Sequence, residues 1–211
     1  MALLIPVAVA AQASAATLSV NQNCFVNTTT ERTLHQAPMV VTGSGYVPGD
    51  SVTITSSDGS VNTVTQAGPA GTIGIQIGAP TPFLKLPGSQ VVGLTASDDN
   101  ASGTITGGTF LKTTLLDVAT VPSTAPPSRR VSWYFSGFRP GRPIYVHYLH
   151  RGRQVARVRF GEAKGVCGLL RTRARFFPGR QRYQRYGLQF DDSKRYSKRS
   201  RPRLLNSLVR Y

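Results

Sequence analysis

Acidic residues are scarce in this chain, and long apolar segments are absent from it. Of its 211 residues only 9 are Asp or Glu, against 25 Lys or Arg, so the formal net charge is +16. No apolar run approaches the roughly 20 residues that span a bilayer, and we therefore expect no transmembrane segment. Hydrophobic residues make up 40% of the chain, which is too many for an intrinsically disordered protein.

Histidine and cysteine are scarce as well, with three and two residues respectively. The chain has no CxxC motif and no histidine cluster with ligand spacing, so we expect neither a metal site nor a cofactor. His147 and His150 stand three apart in a predicted strand, point to opposite faces and do not share a metal. We interpret Asp191 and Asp192 as closing a turn rather than as a general acid and base. No convergent polar set remains, so we expect no catalytic residue and no enzyme.

The two cysteines, Cys24 and Cys167, leave two interpretations open. In an exported protein such a pair is a possible disulfide, which would close a long loop and tie the two ends of the chain together. The alternative is two buried thiols in separate domains.

The N-terminus predicts export. Residues 1–16 contain an apolar stretch, Leu3 to Ala10, followed by Ala13-Ser14-Ala15, the small-x-small pattern before a signal-peptidase cleavage point. No Lys or Arg precedes the apolar stretch, so an N-terminal core segment is the competing interpretation. The signal peptide is the favoured one and predicts a secreted, extracellular or cell-wall-associated protein.

A ten-residue repeat predicts the architecture. Residues 45–54 match residues 137–146 without a gap, at an offset of 92, in the pattern Gly, aromatic, x, Pro, Gly, x, x, β-branched, x, β-branched. Pro followed by Gly sets a tight turn, and the alternating residues after it open a strand. A match of this length at a domain-sized offset indicates two related domains.

We therefore predict an all-β fold of two tandem immunoglobulin-like β-sandwich domains after the signal peptide. The domains are residues 17–112 and 113–211, each of the usual size for this fold. We expect one continuous strand over residues 18–26 and a turn at Asp98-Asp99-Asn100. We place the boundary near Lys112 and Thr113, where one strand runs almost directly into the next.

The positive charge is confined to the second domain. Residues 1–127 hold three basic and six acidic residues, a net charge of −3, whereas residues 128–211 hold 22 basic and three acidic residues, a net charge of +19. Such asymmetry suggests a module that contacts an anionic partner. The competing explanation is an arginine-rich surface without a specific partner.

Some of this charge is organised in rows. In residues 155–160 the apolar side chains alternate with Arg157 and Arg159, and in residues 170–176 with Arg171, Arg173 and Arg175. Alternation in a strand places the arginines on the solvent face. If the two strands lie side by side, the five guanidinium groups form one plate that binds an anion. Arginine as soluble outward filler is the alternative.

The last segment of the chain, from Arg180 to Arg203, mixes further basic residues with Tyr183, Tyr186 and Tyr196. Such mixtures bind single-stranded nucleic acid by phosphate contact and stacking. They also contact wall polymers, acidic polysaccharide or anionic lipid. Because we expect export, envelope partners are favoured over nucleic acid.

The family resemblance is carried by VTGSGYVPGDSVTI, which resembles the strand–turn–strand motif of bacterial immunoglobulin-like domains in exported and wall-associated proteins of high-GC Gram-positive bacteria. SWYFSGFRPGRPIYVHYLHRGR and AKGVCGLLRTRARFFPG are similar to the C-terminal module of exported actinobacterial proteins. The resemblance covers most of residues 18–211. It implies an extracellular, non-enzymatic role and transfers no binding residue.

A related turn motif occurs in small bacterial apoproteins of the neocarzinostatin type, which hold a chromophore in a sandwich cleft. This chain is longer, more basic and has one cysteine pair. Our leading expectation is a non-catalytic, structural or adhesive protein whose basic domain docks on an anionic cell-wall or surface polymer, or a protein partner. The alternative, a small-ligand-binding sandwich, predicts a sizeable apolar pocket between the sheets.

Overall fold

The computed structural model describes residues 16–29, 33–100, 103–178, 185–199 and 202–209. Within these ranges the chain is all-β, with sixteen strands in four sheets and no helix. The described part of the chain accordingly holds no helix of the length and apolar character needed to cross a bilayer. The predicted signal peptide falls outside the described residues, apart from Ala16.

Residues 16–115, the N-terminal half, form two sheets. Its strands are β1 (Thr17–Val20), β2 (Cys24–Thr29), β3 (Leu34–His35), β4 (Pro38–Ser44), β5 (Ser51–Ser56), β6 (Asn62–Gln66), β7 (Thr72–Gly78), β8 (Ser89–Asn100) and β9 (Gly103–Leu115). One sheet has the order β1-β4-β7, and the other β3-β2-β9-β8-β5-β6.

The single strand predicted over residues 18–26 is wrong. The chain leaves the first sheet after Val20, and β2 then joins the second sheet, where it lies parallel to β9. Asn21, Gln22 and Asn23 interrupt the apolar pattern at this crossing. Polar residues there suit a short connection that leaves one layer for the other.

Residues 116–209, the C-terminal half, repeat this arrangement. Its strands are β10 (Asp117–Val121), β11 (Arg130–Ser136), β12 (Pro143–His150), β13 (Arg153–Glu162), β14 (Leu170–Arg175), β15 (Arg185–Asp191) and β16 (Leu204–Val209). The sheets have the orders β10-β11-β14 and β13-β12-β15-β16. When β2 and β3 are left out, the seven strands of each half follow the same order along the chain. The two C-terminal sheets then match β1-β4-β7 and the β6-β5-β8-β9 part of the larger N-terminal sheet.

The repeated turn has the same hydrogen bonds in both halves. The Tyr46 amide donates to the Gly71 carbonyl at 3.1 Å, and the Phe138 amide donates to the Gly168 carbonyl at 3.3 Å. Both aromatic side chains are buried. The aromatic residue of the motif therefore closes the end of each core.

Glycine is required where the chain passes over this aromatic residue. Gly71 and Gly168 have φ values of 65° and 60°. A Cβ at either position would overlap the carbonyl oxygen of Tyr46 or Phe138. Both the backbone conformation and the close approach exclude a side chain. The repeat did not predict this second glycine because it lies beyond the ten matching residues.

Each half has its own hydrophobic core. The N-terminal core includes the fully buried Phe25, Met39 and Ile54. The C-terminal core is aromatic, with Trp133 lying 4.8 Å from Phe160 between ring centroids. Two separate cores explain how each half buries the inward faces of its own two sheets.

The halves meet along a short connection and a disulfide. β9 runs through the predicted boundary at Lys112 and Thr113 and ends at Leu115, and β10 begins at Asp117. The Ser136 hydroxyl donates to the Leu115 carbonyl at 2.6 Å. A disulfide joins Cys24 and Cys167, 143 residues apart. Of the two interpretations left open for the cysteines, the structure therefore has the bonded pair.

The turn predicted at Asp98-Asp99-Asn100 is wrong, because all three residues belong to β8. The Asp98 side chain is fully buried, and its carboxylate accepts a 2.8 Å hydrogen bond from the Val47 amide. A buried carboxylate that holds a loop amide explains an acidic residue inside a strand.

Candidate anion-binding face

The predicted arginines alternate with inward residues as expected. Arg157 and Arg159 are exposed on β13, and Arg171, Arg173 and Arg175 are exposed on β14. The residues between them, such as Val158 and Ala174, are half-buried against the C-terminal core.

The single plate of five arginines does not form. β13 is the edge strand of the four-stranded sheet, and β14 is the edge strand of the three-stranded sheet. Inward residues of both strands contact the same core, so the two rows project from opposite layers. The prediction failed because the connection over residues 163–169 carries the chain from one layer to the other. Alternation along a strand does not report that change of layer.

The two arginines of β13 are held by contacts within the protein. The Arg157 guanidinium donates to the Lys194 carbonyl at 2.6 Å and lies 5.8 Å from the Tyr145 ring centroid. Arg159 forms a 2.7 Å salt bridge with Glu162. Because Glu162 balances one of the two charges, this row carries less unbalanced charge than the β14 row.

The arginines of β14 form a larger basic set with one residue that the sequence did not suggest. Arg130 lies at the start of β11, directly opposite Arg175. Its guanidinium donates to the Arg173 carbonyl at 2.9 Å, which keeps it beside β14. Arg171 lies over the Tyr134 ring, 5.1 Å from the centroid. We call Arg130, Arg171, Arg173 and Arg175 the basic face.

The sequence patterns did not predict Arg130 because it stands alone at the start of its strand. The predicted rows were recognised by alternating arginines, and β11 continues with uncharged outward residues. The adjacent pair Arg129-Arg130 just before an apolar strand was the available signal. Only the register of β11 against β14 places it beside Arg175.

In the described part of the chain, no carboxylate balances the basic face. Residues 128–211 contain three acidic side chains, and all three contact other groups. Glu162 pairs with Arg159, Asp192 pairs with Arg139 at 2.9 Å, and Asp191 pairs with His147. Among the described residues, no salt bridge involves the basic face. Like charges opposed across a sheet are destabilising, so an anion would relieve this arrangement.

The N-terminal half has no charge at the corresponding positions. Strand pairing there aligns Thr42 with Gly74, Val40 with Gln76 and Pro38 with Gly78. The equivalent pairs in the C-terminal half are Tyr134 with Arg171, Ser132 with Arg173 and Arg130 with Arg175. The same sheet is thus built without a single ionised residue on this face. The fold does not require the arginines.

A buried polar cluster is centred on His147. Its Nε2 lies 3.1 Å from an Asp191 carboxylate oxygen, and its Nδ1 lies 2.8 Å from the Gln154 side-chain oxygen. The side chains of His147 and Asp191 are fully buried. The Asp191 carboxylate also accepts the Ser193 amide at 2.9 Å.

The two charges of this cluster stabilise each other. Burial alone lowers the pKa of His147, but hydrogen bonds with Asp191 and Gln154 and the Asp191 charge outweigh it and raise the pKa. Burial alone raises the pKa of Asp191, but hydrogen bonds from His147, Gln189 and Ser193 outweigh it and lower the pKa. Each partner therefore favours the charged form of the other.

This cluster fastens the segment over residues 192–199 to the outside of the four-stranded sheet. Gln189 donates to the Ser197 carbonyl at 2.8 Å, and the Tyr196 ring lies 5.9 Å from His147. The Arg157 bond to Lys194 adds a third contact. The His147–Asp191 pair is closed to solvent and holds this segment against the sheet.

Two other kinds of site find no support in the described ranges. No group of three or more His, Cys, Asp or Glu side chains there is arranged to hold a metal ion. The predicted alternative of an apolar ligand cleft between sheets meets a filled core. Trp133, Phe135, Phe160 and Phe190 lie there with ring centroids 4.8 to 6.1 Å apart.

Comparison with known proteins assigns no family, because no family model and no curated protein matches the chain. Solved structures do match at low similarity. One, from work on host-cell surface retention of a 1.5-MDa bacterial ice-binding adhesin, has a TM-score of 0.32 and 11% identity. A second, a Ca²⁺-stabilised adhesin with which an Antarctic bacterium binds ice, has a TM-score of 0.29 and 13% identity. A third, a tetra-tandem repeat from the extending region of a large adhesion protein, has a TM-score of 0.27 and 15% identity.

These matches cover 92%, 94% and 88% of this chain. The chain in turn spans only 63%, 49% and 48% of the matched chains. At TM-scores this low, the matches assign no function.

Proposed function

We propose that this protein is a non-catalytic cell-surface module of two immunoglobulin-like β-sandwich domains, whose C-terminal domain docks on an anionic surface polymer. The observation that carries the proposal is the basic face: four arginines on one sheet with no carboxylate partner among the described residues. The same face of the N-terminal half is uncharged, so structural need does not explain the arginines.

The two-domain division is supported by the recurring strand order, the shared turn and the separate cores. We place the boundary at Leu116, between β9 and β10, rather than at the predicted Lys112 and Thr113. The immunoglobulin-like assignment is supported by two packed sheets, antiparallel except for the β2–β9 pair, that are joined by the same chain path in each half.

The geometry of β14 suits a linear polyanion. Alternate side chains on a strand are spaced by about 6.6–6.8 Å, so Arg171, Arg173 and Arg175 form an evenly spaced row. Guanidinium groups bind carboxylate and phosphate by paired hydrogen bonds in a fixed plane. Successive anionic groups of a polymer thus meet successive arginines, and Arg130 broadens the row at one end.

The predicted arginines of β13 have a lesser part in this proposal. Arg157 and Arg159 are on the other layer and already contact Lys194 and Glu162. They contribute to the positive field that attracts a polyanion over distance. The β14 row and Arg130 make the contacts.

An extracellular location is part of the proposal. The disulfide between Cys24 and Cys167 supports it, because disulfides persist in oxidising compartments outside the cytosol. The predicted signal peptide agrees with it. An anionic wall or surface polymer is the partner that such a location offers to a strongly basic domain.

The test compares two triple variants of equal charge. Arg171→Gln/Arg173→Gln/Arg175→Gln removes the β14 row, and Arg142→Gln/Arg151→Gln/Arg153→Gln removes three exposed arginines elsewhere in the same half. Binding to sodium polyphosphate and to poly-glutamate is measured from 50 to 300 mM salt. Losing three anion contacts reduces the slope of log K against log salt by about 2.

We expect that reduction in the first variant and a much smaller change in the second. Equal slopes in the two variants would mean that only net charge matters, and the docking face would be wrong. A single-stranded oligonucleotide serves as a further ligand. Binding to it alone, and to neither of the other polyanions, would replace the surface polymer with nucleic acid as the partner.

A further inference from the structure

The basic face ends at a pocket between the two layers of the C-terminal half. β13 and β14 are the edge strands of their sheets and are not paired with each other. A pocket of about 370 Å³ lies between them, lined by Arg130, Val158, Arg173, Ala174, Arg175 and Pro178. We call it the edge pocket. It is a surface opening at the side of the sandwich, distinct from the filled core.

The inner lining of the edge pocket is apolar. Val158 of β13 and Ala174 of β14 are inward-facing residues that remain only half-buried. Both contact the hydrophobic core from its edge, and Pro178 adjoins them. A ligand in the pocket therefore meets apolar side chains on its inner side.

The rest of the lining is cationic. Arg173 and Arg175 alternate with Ala174 on β14, and Arg130 lies opposite Arg175 on β11. The Arg130 guanidinium is held by its bond to the Arg173 carbonyl. Among the described residues, no acidic side chain lines the pocket. Three arginines therefore line the pocket beside an apolar floor. A simple polyanion would use the arginines and not the floor.

We propose that the edge pocket binds an anionic amphiphile, a ligand with one phosphate or carboxylate group and a short alkyl or acyl chain. The guanidinium groups bind the anionic group, and the chain covers Val158, Ala174 and Pro178. The volume is within the range of small-ligand pockets, which starts at about 300 Å³. This goes beyond polymer docking, which makes no use of the apolar floor.

The test titrates the intact protein with four probes by isothermal calorimetry, all below their aggregation concentrations. The probes are octyl phosphate, butyl phosphate, inorganic phosphate and the neutral octyl glucoside. Each methylene buried from water strengthens binding by up to about fourfold. We expect octyl phosphate to bind at least tenfold tighter than inorganic phosphate, butyl phosphate to fall between them, and octyl glucoside to bind weakest.

Two substitutions assign the binding to this pocket. Arg173→Gln/Arg175→Gln removes two exposed charges and should weaken octyl phosphate binding at least tenfold. The control, Arg142→Gln/Arg153→Gln, removes two exposed arginines elsewhere in the same half and should leave it unchanged. Ala174→Leu fills the floor and should abolish the advantage of octyl phosphate over inorganic phosphate.

The proposal is wrong if octyl phosphate and inorganic phosphate bind equally, since the floor then has no part. It is also wrong if the Arg173 and Arg175 substitutions leave octyl phosphate binding unchanged. Neither result would contradict the proposed docking function, because salt-dependent polymer binding is measured separately. Conversely, the protein could bind octyl phosphate more tightly than inorganic phosphate and yet bind no polymer. That result would support the pocket proposal and contradict the docking function.

Discussion

The two halves of this protein share a fold and differ in what they present to solvent. Both have the same strand order and the same aromatic residue closing the core behind a Pro-Gly turn. On the outer face of the three-stranded sheet, Gly74, Gln76 and Gly78 of one half correspond to Arg171, Arg173 and Arg175 of the other. Inward residues and turns therefore specify the sandwich, and the outer face is free to acquire a separate role.

A second difference lies on the outer face of the other sheet. Thr55 of β5 is exposed and lies opposite Thr95. The equivalent residue of β12 is His147, which lies opposite Gln189 and is fully buried. The burial results from the segment over residues 192–199, which covers this sheet only in the C-terminal half. A long β15–β16 connection has thus turned a surface position into an interior one.

The disulfide is expected to have the largest effect, because it joins the halves. In the double variant Cys24→Ser/Cys167→Ser, loss of a link between residues 143 apart should lower the free energy of unfolding by about 4–5 kcal/mol on the loop-entropy model. The measurement is urea unfolding, followed by Trp133 fluorescence for the C-terminal half and by circular dichroism for both. Reducing agent should shift the wild type and leave the variant unmoved. An unshifted wild type would contradict the prediction.

Breaking the His147–Asp191 pair should cost nearly as much. His147→Ala leaves a buried carboxylate without its partner, and we expect a loss of about 3–5 kcal/mol in the free energy of unfolding. Thr55→Ala, at the equivalent exposed position, should change it by no more than about 0.5 kcal/mol. If the two substitutions changed the free energy of unfolding by similar amounts, these equivalent positions would contribute equally to stability in both halves.

The same pair predicts a pH window of maximum stability for the C-terminal half. The pKa of His147 is raised above 6.5, so its contribution is full below pH 6.5 and is lost as pH rises through the folded pKa. The pKa of Asp191 is lowered below 3.8, so its contribution is full above pH 3.8 and is lost as pH falls through the folded pKa. Unfolding midpoints followed by Trp133 fluorescence should peak between these values. His147→Gln should remove the decline on the alkaline side, and an unchanged profile in that variant would count against the pair.

The glycines behind the shared turn should behave alike in both halves. Gly71→Ala and Gly168→Ala combine a left-handed backbone with overlap on a carbonyl oxygen, and each should cost about 2–3 kcal/mol. Gly49→Ala and Gly141→Ala provide matched controls, because these glycines also have positive φ but nothing near a Cβ. The controls should cost about 1 kcal/mol. Thermal unfolding of the four variants checks whether the two turns are equivalent.

The smallest effect is expected at the basic face itself. Arg175→Gln removes one of two opposed like charges and should raise the free energy of unfolding by a few tenths of a kcal/mol, within the range of about 0.2–1 for cross-strand pairs. Gln76→Arg, which adds an arginine to the uncharged face, should be nearly neutral. A clear loss of stability in Arg175→Gln would show that the arginine supports the fold.

Most of the local architecture follows from sequence patterns. The repeat at an offset of 92 predicts both turns, and alternation predicts which arginines of β13 and β14 are exposed. The patterns fail where a contact is distant along the chain. The buried roles of Asp98 and His147 depend on Val47 and Asp191, which are 51 and 44 residues away.

The sequence by itself determined that the chain is all-β, that a turn recurs and that the positive charge follows Pro127, because these depend on neighbouring residues and composition. Only the tertiary structure decided which layer each strand joins, and hence that the arginine rows separate and Arg130 joins one of them. Strand pairing and layer crossing bring together residues far apart in the chain, and no local period encodes that choice.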